Sequence, residues 1–305
     1  MSVSPEAPLL EVVEYTDPMC PWAWGSDPVF RALRTALADR VRWRRAYAIL
    51  FDDDDDPAPD PAAETAYYAR YVEEIGAHTR APRAARLSRV AASSWPSSLV
   101  AAAAELQGSE IGDRVLRRLR ESVFVRGEPA DTIQAAVSAT RGVPGLDTAR
   151  LRSDAASAGV LERVRADRAE ARRPVPEVLS VRGGSPHPGA AKETSDGGYR
   201  YALPTLLLRT PSGRRAVPGW RPYAAYAAAV DELRAGLLDD APALSPPEAL
   251  ERHRSLTEPE RQVLARGAWP PPGAVRTGTA NGPLWLHPDE ASVNPAGPSE
   301  PSAPL

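Results

Sequence analysis

Tyr15-Thr16-Asp17-Pro18-Met19-Cys20-Pro21-Trp22-Ala23-Trp24-Gly25 holds the single cysteine of the chain. Before it runs Leu9 to Tyr15 (LLEVVEY), short, apolar and partly β-branched, which reads as a buried strand. After it, Trp24, Val29, Phe30, Leu33 and Leu37 recur at helical spacing, predicting a helix from Trp22 to Asp39. Thr16-Asp17-Pro18 closes the strand, and Pro21 suits a first helical turn, where a missing N–H costs nothing. Pro28 predicts a kink or a broken first turn. Val41 to Leu50 reads as a second strand, so the opening is β-α-β. A thiol between strand and helix faces the helix N-terminus, whose unpaired N–H groups and dipole favour a thiolate. Cysteines so placed can be reactive at neutral pH. The plainer alternative is a buried cysteine that packs as a small hydrophobe.

Further along, Asp52–Asp56 reads as a solvated acidic loop. From Ala62 to about Arg173 the apolar spacing is helical nearly throughout, with a break at Gly142-Val143-Pro144-Gly145. Pro174 to Gly198 reads as a loop. Tyr201 to Arg209 (YALPTLLLR) reads as a strand with an unwelcome proline inside it. Pro211-Ser212-Gly213 turns the chain, Arg214 to Val217 can pair back as a hairpin, and Pro222 opens a helix to Leu233. Pro242 to Pro247 has linker composition, and Glu248 to Arg266 can hold one or two helices, with a candidate capping box at Thr257 to Glu260. Gly282 to Leu286 suits a short strand, and Asp289 to Leu305 has the composition of a disordered, removable tail.

Composition bounds the chemistry. The 305 residues, 43% hydrophobic and 25% charged, suit a soluble globular protein of one or two domains. A net charge of −3 argues against a nucleic-acid binder driven by bulk electrostatics. One cysteine allows no internal disulfide and no cysteine-based zinc site. His78, His187, His253 and His287 have no metal-ligand spacing and no nearby acid in sequence, and read as surface histidines. Neither a signal peptide nor a membrane-length apolar run is visible, so the expectation is a cytoplasmic protein with a reduced thiol and no membrane contact. No metal, flavin or nucleotide is implied, since no glycine-rich phosphate loop stands between a strand and a helix. Trp24 is expected in the core. Asp17 is expected as a turn or capping residue, although its charge beside the thiol would raise the cysteine pKa. Arg126 and Arg221 are candidates for a positive field at the site.

The order β-α-β, helical block, β-β-α resembles the DsbA family, a thioredoxin-like α/β fold with a large all-helical insertion. The resemblance runs from Leu9 to Leu233 and rests on Cys20-Pro21-Trp22-Ala23 and on Leu203-Pro204-Thr205, which looks like the family's cis-proline loop. Trp24-Gly25-Ser26-Asp27-Pro28 and Trp95-Pro96-Ser97-Ser98 look closest to a cytosolic branch that includes adaptors handing proteins to a protease. With it the chain divides into a first thioredoxin-like half over 9–50, an insertion over 57–173, a second half over 200–236 and a small C-terminal region over 242–288 that resembles an extension seen in some members, while composition marks the tail over 289–305. The resemblance implies Cys20 as the catalytic residue, with Pro21, Trp22, Leu203, Pro204 and Thr205 as substrate-binding residues.

The family's dithiol enzymes carry C-x-x-C, and here the resolving position is Ala23. Cys20 alone cannot close an internal disulfide, so any mixed disulfide on it needs an outside thiol. Three readings stay open. Cys20 is a lone nucleophile exchanging with a thiol or disulfide substrate, with glutathione or, given a composition of high-GC type, mycothiol as co-substrate. Alternatively the fold is kept as a non-catalytic binding or adaptor module for a protein client. In the third, the chain resembles kappa-class glutathione transferases and hydroxychromene carboxylate isomerases, which use one Ser or Cys at this position to hold glutathione.

Overall fold

The computed structural model describes residues 10–54, 58–184, 186–238 and 243–294. Strand β1 (Glu11–Thr16) is central in a four-stranded sheet. It pairs in parallel with β2 (Arg42–Tyr47) across helix α1 (Pro21–Leu37), which continues through Pro28 as one element. Alternate residues of β1 point to opposite faces. Val12 and Leu10 enter a core with Phe30, Leu33 and Tyr226, whereas Val13 and Tyr15 enter one with Cys20, Trp22 and Tyr201. A strand buried on both faces explains the nearly continuous apolar run.

The helical block follows as α2 (Pro61–Thr79), α3 (Trp95–Glu105), α4 (Ser109–Phe124), α5 (Ile133–Ala139), α6 (Thr148–Ala155) and α7 (Ala158–Ala171). Helix α3 packs against α4, α5, α6 and α7, which is why Val100–Ala104 is apolar all round and fully buried. Helix α7 packs on β2 and so ties the block to the sheet. A one-turn α8 (Pro176–Leu179) and a small ribbon of β3 (Lys192–Glu193) and β4 (Tyr199–Arg200) then lead back.

Strand β5 (Thr205–Thr210) pairs antiparallel with β1, and β6 (Gly213–Pro218) pairs back on β5, giving the order β2-β1-β5-β6. The strand begins after Pro204, so the proline stands at its mouth and not inside its ladder. Helix α9 (Tyr223–Leu233) covers β5 and β6. This is a thioredoxin-like, DsbA-like arrangement.

The C-terminal region holds α10 (Pro246–His253), β7 (Ser255–Thr257), α11 (Glu258–Leu264), β8 (Val275–Thr279) and β9 (Gly282–Leu286), with sheet order β7-β9-β8. Thr257 and Glu260 form a reciprocal capping box, as their spacing predicts, and Ser245 and Glu248 form another. Helix α11 packs on α1. The disordered-tail expectation needs correction for Asp289–Asn294. Glu290 is buried on Arg118 (2.7 Å), and Asn294 Nδ2 donates to Glu121 Oε2 at 3.0 Å. The surface they cover is charged, so a stretch poor in apolar residues can still pack. Residues 295–305, Leu9, Asp55–Pro57 and Pro242 lie outside the described residues.

Candidate functional site

Cys20 is the N-cap of α1, with Pro21 in the first turn. Asp17 builds the approach: Oδ1 accepts from Met19 N at 2.7 Å and from Ser94 Oγ at 3.1 Å, and Oδ2 accepts from Leu50 N at 2.7 Å. One carboxylate thus fastens the end of β1 to the exit of β2 and the start of α3. Burial pushes its pKa up to about 6, against the lowering effect of those donors.

The Cys20 thiol is 4% exposed and donates to Leu203 O at 3.8 Å, across 183 positions of sequence. The fold therefore joins the two segments singled out in the sequence. The Leu203–Pro204 peptide is cis. Burial is the main reason that the thiol pKa rises, to about 11, and Asp17 adds to it. Backbone N–H groups of Ala23 and Trp22, with Arg200, pull the other way. The expectation of a lowered pKa is therefore corrected: helix N–H groups do face the sulfur, but desolvation outweighs them.

Pro21, Trp22, Leu203, Pro204 and Thr205 are all buried. Trp22 Nε1 donates to Tyr71 OH at 2.9 Å, and Tyr68 OH donates to Met19 O at 3.0 Å, so α2 closes one side of the site. Thr205 lies between β1 and β6 with its hydroxyl on Ala202 O at 2.6 Å, so its backbone is already engaged in the sheet. Trp24 is in the core as expected, stacked on Phe124 and donating to Pro82 O. Arg221 stands near the site, its Nη1 donating to His187 O at 2.7 Å, whereas Arg126 pairs with Glu128.

The histidines need correction. His78 is exposed, as expected, but sits edge-on to Trp220 at 4.5 Å. His253 is half-buried among Arg31, Arg34 and Arg252, and burial holds its pKa well below the usual range. His287 is half-buried, 2.9 Å from Glu251 and 3.5 Å from Asp289, an acid only two positions downstream that the sequence reading overlooked. His187 is buried at the thiol site: its ring packs edge-on to Trp22 at 4.8 Å and its Nε2 lies 3.1 Å from Leu203 O. Its partners are main-chain groups, and they leave no mark in the sequence.

Comparison with known proteins agrees with this fold. A thioredoxin family model matches residues 14–173, just over half the chain, and the chain belongs to that family. The chain is 27% identical over 164 residues to the ClpXP adapter protein SpxH of Halalkalibacterium halodurans, covering 52% of this chain and 53% of that protein. It thus spans about half the length of that relative. Among solved structures, a candidate protein disulfide isomerase from Nitrosomonas europaea superposes with a TM-score of 0.57 at 15% identity, covering 74% of this chain and 97% of that one. The cytosolic disulfide reductase DsbM from Pseudomonas aeruginosa superposes with a TM-score of 0.50 at 15% identity, covering 74% and 96%. At such identities the likeness is one of fold.

Proposed function

We propose that this thioredoxin-family chain is a DsbA-like thiol oxidoreductase that works through Cys20 alone. The observation that carries the reading is the meeting of Cys20 Sγ, at the N-cap of α1, with the carbonyl of Leu203 in the loop before β5. At rest the thiol is protonated and sealed. Because burial is the largest cause of its raised pKa, a substrate that opens the site removes the main penalty and leaves the Trp22 and Ala23 N–H groups in place. Cys20 then loses its proton to solvent and attacks one sulfur of a substrate disulfide. The other sulfur departs as a thiolate and takes up a proton. The Ala23 position offers no second thiol, so an external thiolate such as glutathione or mycothiol attacks the substrate sulfur of the mixed disulfide and frees Cys20. One disulfide and one thiol enter, and one of each leaves. Leu203 and Pro204, with Pro21 and Trp22, form the floor on which the substrate sulfur docks. A cytoplasmic setting is supported by the fold it shares with DsbM, a cytosolic disulfide reductase.

Incubation with glutathione disulfide or mycothiol disulfide, read by intact mass, tests this. The wild type should take up one adduct that free thiol then releases, and Cys20→Ser should take up none. No adduct on the native protein, with ready modification after unfolding, would overturn it. The result would then favour a binding module for a protein client, a reading supported by the SpxH relative and by the aromatic rim of exposed Tyr67 with Tyr71, His78 and Trp220 beside the site.

A further inference from the structure

His187 lies 16 positions before the loop residue it touches, and nothing in its local sequence marks it. Its two ring nitrogens have different partners. Gly189 N donates to Nδ1 at 3.0 Å. A backbone N–H can only donate, so Nδ1 presents its lone pair, and the proton of the neutral ring sits on Nε2. That Nε2–H points to Leu203 O at 3.1 Å, the same oxygen that receives the Cys20 thiol at 3.8 Å.

The surroundings hold this orientation. Gly219 has φ +76°, and a Cβ there would come within 2.4 Å of His187 Nδ1. Gly219 N donates to Pro204 O at 2.8 Å, and Tyr226 OH donates to Gly219 O at 2.8 Å. Arg221 Nη1 donates to His187 O at 2.7 Å. Burial, with Arg221 and Lys192 nearby, lowers the ring's pKa to about 4, so it stays neutral near pH 7. A charged ring would set an Nδ1–H against the Gly189 N–H.

We infer that His187 is a positioning residue for Cys20: its Nε2–H holds the Leu203 carbonyl and keeps that oxygen satisfied when the thiol gives up its proton. The inference deepens the function proposed above and rests on it only for its bearing on exchange. As a thiol, Cys20 is a second donor to Leu203 O; as a thiolate it is none. Without His187, deprotonation would leave a buried carbonyl with no donor and facing a negative sulfur. Leaving one buried polar group unpaired is enough to change an equilibrium about tenfold. The other groups bearing on the sulfur are Asp17, Arg200, Tyr68 and Tyr71, and His187 variants leave them in place.

The test is the pH dependence of Cys20 alkylation by iodoacetamide in folded variants. His187→Phe keeps a ring against Trp22 and loses both nitrogens. It should react about tenfold more slowly than wild type at pH 8.5, its profile displaced upward by about one unit. His187→Asn can place its Oδ1 where Nδ1 accepts, but its Nδ2–H2 donor stops one bond short of the ε position, so it should behave in the same way. His187→Gln can carry a donor to the ε position and should stay within about twofold of wild type, the margin left for an imperfect fit. A residue that merely covers the site would give the opposite sign, because its loss would expose the thiol and speed labelling. Faster labelling in His187→Phe or His187→Asn, or equal rates in Asn and Gln variants, would overturn the inference. If the variants do not fold, nitrogen chemical shifts of His187 in the wild type decide. A neutral Nε2–H ring from pH 5.5 to 9 is expected, and an Nδ1–H or charged ring overturns the inference. Iodoacetamide reports on the thiol itself, so absence of a glutathione adduct would remove the proposed exchange and leave this comparison readable.

Discussion

Glu260→Ala should loosen the C-terminal region from the rest of the molecule. The side chain is fully buried on α11, with Oε1 receiving Arg117 Nη1 at 2.9 Å and Arg31 Nη1 at 3.1 Å. Its Oε2 receives Arg117 Nη2 at 3.0 Å and the Thr257 backbone N–H at 2.7 Å. Helices α1, α4 and α11 therefore meet on one carboxylate. Removing one partner of a buried ion pair costs about 3–5 kcal/mol, because the other charge remains inside. Arg117 keeps Asp27 and Glu121, and Arg31 keeps Ser255 O at 2.8 Å, which argues for the lower end. The lost capping contact adds about 1 kcal/mol. A total of about 4 kcal/mol corresponds to a fall in Tm of roughly 8–16 °C for a protein of this size. Thermal unfolding followed by circular dichroism reads it, and limited proteolysis should cut the variant first between 243 and 294. Glu260→Gln keeps an oxygen acceptor for the two arginines and should lose less than Glu260→Ala. A Glu260→Ala protein within about 1 kcal/mol of wild type, the scale of an exposed pair, would refute the reasoning.

Asp167 makes stability depend on pH. Burial raises its pKa from 3.8 to about 7, and its Oδ2 has no hydrogen-bond partner. The folded state therefore holds the proton more tightly, and this stabilisation is complete below pH 3.8 and lost as pH rises through 7. Asp167→Asn should gain about 2–4 kcal/mol over wild type on going from pH 4 to pH 8, measured by urea unfolding, and an unchanged difference would contradict this. Ala23→Cys restores a second thiol one helical turn from Cys20 at a fully buried position. Thiol titration after mild oxidation should find no free thiol, at a packing cost of about 1–3 kcal/mol. Truncation after Pro288 removes Glu290 from Arg118 and Asn294 from Glu121, so it should lower Tm by several degrees, whereas truncation after Asn294 keeps both contacts and should not.

The thioredoxin-like half was legible because its signals are local. Glu11–Thr16 and the leucines after Pro204 are buried strands, and the helix after Cys20 has a clear apolar spacing. The Thr257–Glu260 capping box is a three-residue pattern and could be read directly. The missed features depend on distant partners. Cys20 has a helix N-terminus beside it in sequence, but its pKa is set by how completely Leu203, Trp22 and α2 enclose it. His187 is buried through Gly189, Gly219 and Leu203. Glu290 and Asn294 pack because α4 presents Arg118 and Glu121 to them. Strand β8 (VRTGT) has little apolar content because its burial pattern alternates between exposed and half-buried positions at the edge of its sheet.

The most direct test of the account is the pH profile of Cys20 alkylation in the native wild type, with the urea-unfolded chain as reference. With a native pKa of about 11, and about 8.5 for an open cysteine, labelling at pH 7.5 should be roughly 300-fold slower in the folded protein. An apparent native pKa below the unfolded value, with labelling as fast as or faster than in urea, would contradict a sealed, protonated thiol.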